Sequence, residues 1–217
     1  MTIRKGETWG VPGPLPRHGV LVRSDREARA IVTAARRAKE PIPPLGLLGG
    51  DLCKTLGGTG DEGRLHSEAA MQLPVDLGAV LLDGRLHFFV AHLVSRHGWW
   101  RGRVVAAMNA QYLGRWDVAP RGHPNDGCLD VLDADLPFDE RLQVRGRLKA
   151  GTHVPHPRID ERHVRPSSWI WIGRPPCTST GRRPAPRRSS RSAWSPTLSS
   201  AWSEASAPPG RLPRWIW

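Results

Sequence analysis

Cysteine is scarce in this chain: 217 residues hold three, Cys53, Cys128 and Cys177, with no CxxC pair among them. An odd, scattered set excludes a disulfide framework and a zinc ribbon, and it suits a reducing compartment. Phenylalanine and tyrosine are rare, at three and one, although tryptophan reaches ten. No apolar run approaches the roughly 18 residues of a membrane span, and no apolar stretch follows the basic start Met1-Thr-Ile-Arg-Lys. The expectation is a cytoplasmic protein, with any membrane contact peripheral and at the inner face. Walker A, GxGxxG and GxSxG patterns are all missing, which removes the P-loop, Rossmann and hydrolase-elbow readings.

What is plentiful is positive charge, +12 in all, and it is unevenly placed. Residues 166–217 carry eight arginines against Glu204 alone, so a polyanion-binding reading rests on that tail rather than on the body. The tail also holds 11 serines, nine prolines and six tryptophans, but no Asp, Lys or Val. Such a composition buries too little apolar surface to offset the entropy of ordering the chain, so residues 166–217 are expected to be disordered. An Arg/Trp-rich nucleic-acid-binding tail is one interpretation. Translation in a displaced frame is the other, and the single Trp codon gives a check. Moved back one nucleotide, Ser168-Trp-Ile-Trp-Ile-Gly can read Leu-Asp-Leu-Asp-Arg, and Cys177-Thr-Ser-Thr-Gly can read Val-His-Val-Asp-Gly. Ser192-Ala-Trp-Ser-Pro-Thr can read Arg-Val-Glu-Pro-Asp. Apolar and polar residues then alternate as they do in half-buried strands, which the displayed frame does not show. A frameshift near residues 160–168 follows, with sheet strands as the displaced segment and no specific nucleic acid expected as a partner.

Before the tail the chain is punctuated regularly. Residues 1–17 read as an irregular, Gly/Pro-rich arm. Residues 18–63 read as a β-α-β unit: a strand from His18, then a helix opened by the capping box Ser24-Asp-Arg-Glu27 with Ala28, Ile31, Val32 and Ala35 on its apolar face, then a strand at Leu45–Leu48. A short helix over Leu52–Leu56 and a Gly-rich loop from Gly58 to Gly63 complete it. In residues 64–165, Val75–Leu82 and Leu86–Leu93 flank Asp83-Gly84, a strong hairpin signal. Arg103–Asn109, Leu129–Ala134 and Arg158–Val164 read as strands, and Pro137–Lys149 as a helix closed by Gly151. The expected fold is α+β, a β-rich sandwich-like domain with a short β-α-β N-terminal remnant and a disordered C-terminal tail.

Few motifs carry chemistry. Gly49-Gly50-Asp51 at a strand-to-helix turn either offers amides to a phosphate or is a plain Gly turn with an Asp cap. His153, His156 and His163 sit in a proline-broken stretch that cannot hold the regular face of a zinc helix, so they read as loop histidines. Trp99-Trp100-Arg-Gly-Arg suits core and edge packing as well as stacking on bases or lipid. Asn125-Asp126-Gly127 is either an Asp-Gly turn or a hard-cation site built from one carboxylate and nearby carbonyls.

Asn109-Ala-Gln-Tyr-Leu-Gly-Arg-Trp-Asp-Val-Ala-Pro120, followed by Asn125-Asp-Gly-Cys-Leu-Asp-Val131, resembles the bacterial diacylglycerol-kinase-like lipid kinases. Leu45-Gly-Leu-Leu-Gly-Gly-Asp-Leu-Cys-Lys-Thr-Leu-Gly57 and Val75-Asp-Leu-Gly78 look like further segments of that family. The resemblance covers residues 45–165. It implies ATP and Mg as cofactors, a lipid alcohol substrate and nucleotide as partners, and transfer of the γ-phosphoryl to the lipid hydroxyl. By position, Gly49, Gly50 and Asp51 match the nucleotide-contacting segment, and Asp126 matches the metal-binding Asp, with the carbonyls of His123 and Cys128 beside it. The departures are that no Gly-Gly-Asp-Gly-Thr nucleotide loop is present, that Leu48 stands where a Thr belongs, and that the Asp-Gly-Glu catalytic turn falls in the displaced frame. The implication is a kinase homologue that is inactive as written, no catalytic residue being assignable; a non-catalytic lipid- or nucleotide-binding protein is the alternative.

Overall fold

The computed structural model describes residues 9–82, 84–96 and 102–165, together with the backbone of the strand at 214–216. Trp99 and Trp100, Cys177 and the three frame-test stretches lie outside the described residues. What is described is mixed helix and strand, as an α+β chain requires.

The first sheet has five strands, ordered β1 (Val11–Pro12), β4 (Met71–Pro74), β13 (Arg214–Ile216), β3 (Leu45–Leu47) and β2 (Val20–Val22). β2 and β3 are parallel, as a β-α-β connection demands, and α1 (Asp25–Ala38) is the crossover. The helix starts where its capping residues place it: Ser24 Oγ accepts from the Glu27 N–H at 3.3 Å, and Glu27 Oε2 accepts from the Arg23 N–H at 2.8 Å. Ala28, Val32 and Ala35 form its buried face, and the first two join Val22, Leu45, Leu47, Leu52 and Val75 in one core cluster. It stops at Lys39, which takes the left-handed conformation usually left to Gly (φ 58°), so that its N–H reaches the last carbonyls. Pro41 lies two residues beyond that stop.

Four expectations need correction here. The arm is not wholly irregular, because Val11–Pro12 pairs antiparallel with Met71–Gln72. The loop from Gly58 to Gly63 leads into a short helix, α3 (Glu62–Leu65), capped by Asp61 Oδ1; two glycines masked a cap that the Asp-Glu pair signals. The apolar runs of residues 75–82 and 86–93 are not each one strand: the first pairs only from Gly78, as β5 (Gly78–Leu82), after a separate strand β4 that ends at Pro74, and the second divides between β6 (Arg85–Phe89) and β7 (His92–Arg96). Finally, one segment of the tail is a strand: Arg214–Ile216 lies between β3 and β4, parallel to one and antiparallel to the other, while residues 166–213 lie outside the described residues. Composition argues against such a segment folding by itself, but a sheet edge recruits a strand through backbone N–H and C=O groups that are blind to composition.

The second main sheet is antiparallel, ordered β12 (Ile159–Val164), β11 (Leu129–Ala134), β8 (Val104–Met108) and β7. β5 and β6 pair separately as the hairpin around residues 83 and 84, with Gly84 at φ 73° as the turn requires. The segment between β8 and β11 carries a small hairpin, β9 (Tyr112–Leu113) and β10 (Trp116–Asp117). α4 (Phe138–Arg147) runs into a 3-10 turn, Leu148–Ala150, which Gly151 closes with φ 64°.

Candidate functional site

Strand register places the chemistry. Across the four-stranded sheet, His163 pairs with Asp130, Asp130 with Met108, and Met108 with His92, so these side chains form one row on one face. The next row on that face is Glu161, Leu132, Ala106 and Val94, and the one after it contains Ile159, Ala134 and Val104. A polar end thus grades into an apolar middle within three residues of each strand.

At the polar end, Asp126, Cys128 and His163 each offer a ligand atom, all within 4.8 Å of one another. Asp126 Oδ1 closes an Asx turn by accepting from the Cys128 N–H at 2.9 Å, leaving Oδ2 3.3 Å from His163 Nε2. The other imidazole nitrogen, Nδ1, lies 2.7 Å from Asp130 Oδ1. Asp76 anchors the same loop, its Oδ2 accepting from the Gly127 N–H at 2.6 Å while its own N–H donates to Pro124 O at 2.7 Å.

Charge is crowded here. Burial, then the neighbouring Asp126 among lesser causes, pushes the carboxyls of Asp76 and Asp130 up, and burial with Asp126 pushes the Cys128 thiol up. The hydrogen bond that the ring donates to Asp130 pushes the His163 imidazole up. Because folded His163 holds its proton more tightly than the unfolded chain does, the pair contributes stability that is complete below the ordinary imidazole value of about 6.5 and is lost as pH rises through the elevated one. His153 moves the opposite way: it is 1% exposed, Nε2 donates to Val118 O at 3.1 Å, and burial pushes its pKa down. Histidine ring NMR should therefore show His163 titrating above, and His153 below, the usual midpoint. Asp130→Asn should lower the His163 midpoint and leave His153 unmoved; equal midpoints for the two rings would contradict the arrangement.

Gly49, Gly50 and Asp51 sit where expected, between β3 and the short helix α2 (Asp51–Thr55), but their amides are engaged. The Asp51 and Leu52 N–H groups donate to the two carboxylate oxygens of Asp25, at 2.6 and 3.2 Å. An internal carboxylate thus occupies the place a phosphate would take, and burial pushes the Asp25 pKa up. A nucleotide phosphate does not fit against these amides while Asp25 is there. Asp51 instead receives the Gly114 N–H at 2.9 Å, with His92 Nδ1 3.6 Å from its other oxygen. Lys54 donates to Gly114 O at 3.1 Å and lies over the Tyr112 ring at 4.0 Å. The segments at 45–57 and 109–117 therefore meet, although 60 residues separate Lys54 from Gly114.

His123 is not brought to the Asp126 cluster by its ring: Nδ1 accepts from the Asn125 N–H at 3.3 Å, and the ring packs edge-on against Trp9 at 4.7 Å. Of the three histidines read as loop residues, His163 is in β12, within the Arg158–Val164 stretch read as a strand, so the loop reading is corrected for it. Asp130 and Asp76 are site residues that nothing local in the sequence marks as such. Asp130 was legible only as one polar position in an apolar strand, and Asp76 had no signal.

The apolar middle of the face borders a cavity of about 150 Å³ beneath α4 and the β9–β10 hairpin. Ala106, Leu132, Val118, Trp116, Val144 and His153 are among its walls. Nδ1 of His153 is buried and has no hydrogen-bond partner among the described residues. Arg141 is also in the wall, but its guanidinium is spent on the carbonyls of Leu136, at 2.8 Å, and Gly102.

No protein-family model matches this chain, and no curated protein matches it. Among the described residues, no helix is long and apolar enough to cross a membrane.

Proposed function

We propose that this chain is a diacylglycerol-kinase-like homologue whose β-rich half, sandwich-like in plan, binds the apolar end of a lipid, and that it does not transfer phosphate as written. The observation that carries this reading is the cavity under α4: its walls are almost wholly apolar, with one buried imidazole nitrogen as an acceptor for a hydroxyl. An apolar cavity of about 150 Å³ holds a guest the size of benzene, so it suits a short stretch of acyl chain and not a whole lipid. Absence of transfer follows from Asp25, which fills the amides at the start of α2, and from a catalytic turn that the displayed frame does not encode.

Two measurements test it. A fluorescent fatty acid should bind the full-length chain and be displaced by diacylglycerol, and Ala106→Phe, which fills the cavity, should weaken binding at least about ten-fold. Incubation with radiolabelled ATP, Mg and diacylglycerol should yield no labelled lipid. Undiminished binding by the Ala106→Phe chain, with its fold intact by circular dichroism, would remove the cavity from the reading. Labelled product would remove the loss of transfer.

A further inference from the structure

We propose that Asp126, Cys128 and His163 form a binding site for a borderline divalent metal of the zinc class, a different donor set and a different metal from the carboxylate-and-carbonyl magnesium site that the sequence suggests. The three donors are a carboxylate oxygen, a thiol sulfur and an imidazole nitrogen within 4.8 Å of one another. Thiolate and imidazole select zinc or cobalt over magnesium, which demands oxygen donors. The one direct donor separation, 3.3 Å between Asp126 Oδ2 and His163 Nε2, matches the edge of a tetrahedron with metal–ligand bonds of about 2.0–2.1 Å, so these two need not move to share an ion.

A second, independent feature is the partner of His163. Ligating histidines usually donate their other ring N–H to a carboxylate, which fixes the tautomer and aims the free nitrogen at the metal. Asp130, 7% exposed in β11, holds Nδ1 at 2.7 Å and leaves Nε2 facing Asp126. The surroundings agree in charge. Asp126 repels both Asp76 and Asp130, Asp126 and Asp130 face the Cys128 thiol, and a dication offsets that repulsion. Arg165 opposes it, but a cation beside the sulfur also favours the thiolate that a metal needs. Three protein donors leave a fourth position for water, and His163, half exposed, leaves that side open to solvent.

The test is titration of the full-length chain with cobalt(II), followed by its absorption spectrum. A thiolate-to-cobalt charge-transfer band should appear, be removed by Cys128→Ser, and survive Cys53→Ala, which alters a cysteine buried elsewhere in the core. His163→Gln should weaken binding by at least ten-fold. Asp130→Asn, which touches no ligand atom of the ion, should loosen it by about 10- to 100-fold. Zinc should abolish the band at equimolar concentration, and a hundred-fold excess of magnesium should not. A folded chain without the band, a band that persists in Cys128→Ser, or displacement of cobalt by magnesium would each overturn the assignment. None of these outcomes depends on the lipid reading.

Discussion

Replacing Asn109 by alanine is expected to lower the unfolding free energy by roughly 3 kcal/mol, because it leaves two buried carbonyls without donors, each worth about 1–3 kcal/mol. Asn109 is 3% exposed, and its Nδ2 donates to Asp76 O and to Val90 O, both at 2.8 Å. Its backbone N–H donates to Ala91 O at 2.8 Å. One side chain thus ties the end of β8 to the β4–β5 link and to the β6–β7 link, and through Asp76 to the loop that bears Asp126. Asn109→Asp should be worse than alanine despite its matching shape, since it sets a carboxylate oxygen against two carbonyl oxygens. The measurement is the urea midpoint at constant slope. A loss under about 1 kcal/mol for Asn109→Asp would mean that the two carbonyls are served by water and that the tie is weaker than its geometry.

Gly50→Ala is expected to cost a similar amount, on the order of 3 kcal/mol, for two separable reasons. Gly50 has φ 98°, a region that L side chains rarely adopt, and an added Cβ would lie 2.5 Å from Asp25 Oδ1 and 2.9 Å from the Asp25 backbone N. The same close approach lets Asp25 accept from the Asp51 and Leu52 amides, so the glycine and the carboxylate form one device joining the starts of α1 and α2. A double-mutant cycle with Asp25→Ala separates the causes. Removing the carboxylate relieves the side-chain clash but neither the φ strain nor the contact with backbone N, so part of the Gly50→Ala cost should remain. Full additivity of the two losses would show that the carboxylate and the glycine are not coupled. The cycle also bears on function, because it asks whether Gly49-Gly50-Asp51 is an internal tie or an open phosphate turn.

Much of the local structure was legible because the residues that form it are neighbours in the chain. Ser24 and Glu27 mark the start of α1, the apolar run Leu129 to Ala134 with its two aspartates marks β11, and Gly151 closes the helical segment that begins at Phe138. Each depends on contacts within a few residues, where spacing alone decides the geometry. The breaks at residues 75–77 and 90–91 were not legible. Apart from Asp76 the composition stays apolar through them, and what interrupts pairing is the demand that Val75, Val90 and Ala91 turn into the first core.

The candidate site divides the same way. The sequence by itself placed Asp126 and Cys128 in one tight turn, and Gly49, Gly50 and Asp51 between a strand and a helix, because turn chemistry is local. Only the tertiary structure decided what faces them. His163 reaches Asp126 by strand register across β11 and β12, and Asp25 reaches the α2 amides across 26 residues of chain. Pairing of backbones far apart in sequence sets both, and no spacing rule in a single sequence encodes which distant strand or helix start will fill a given gap.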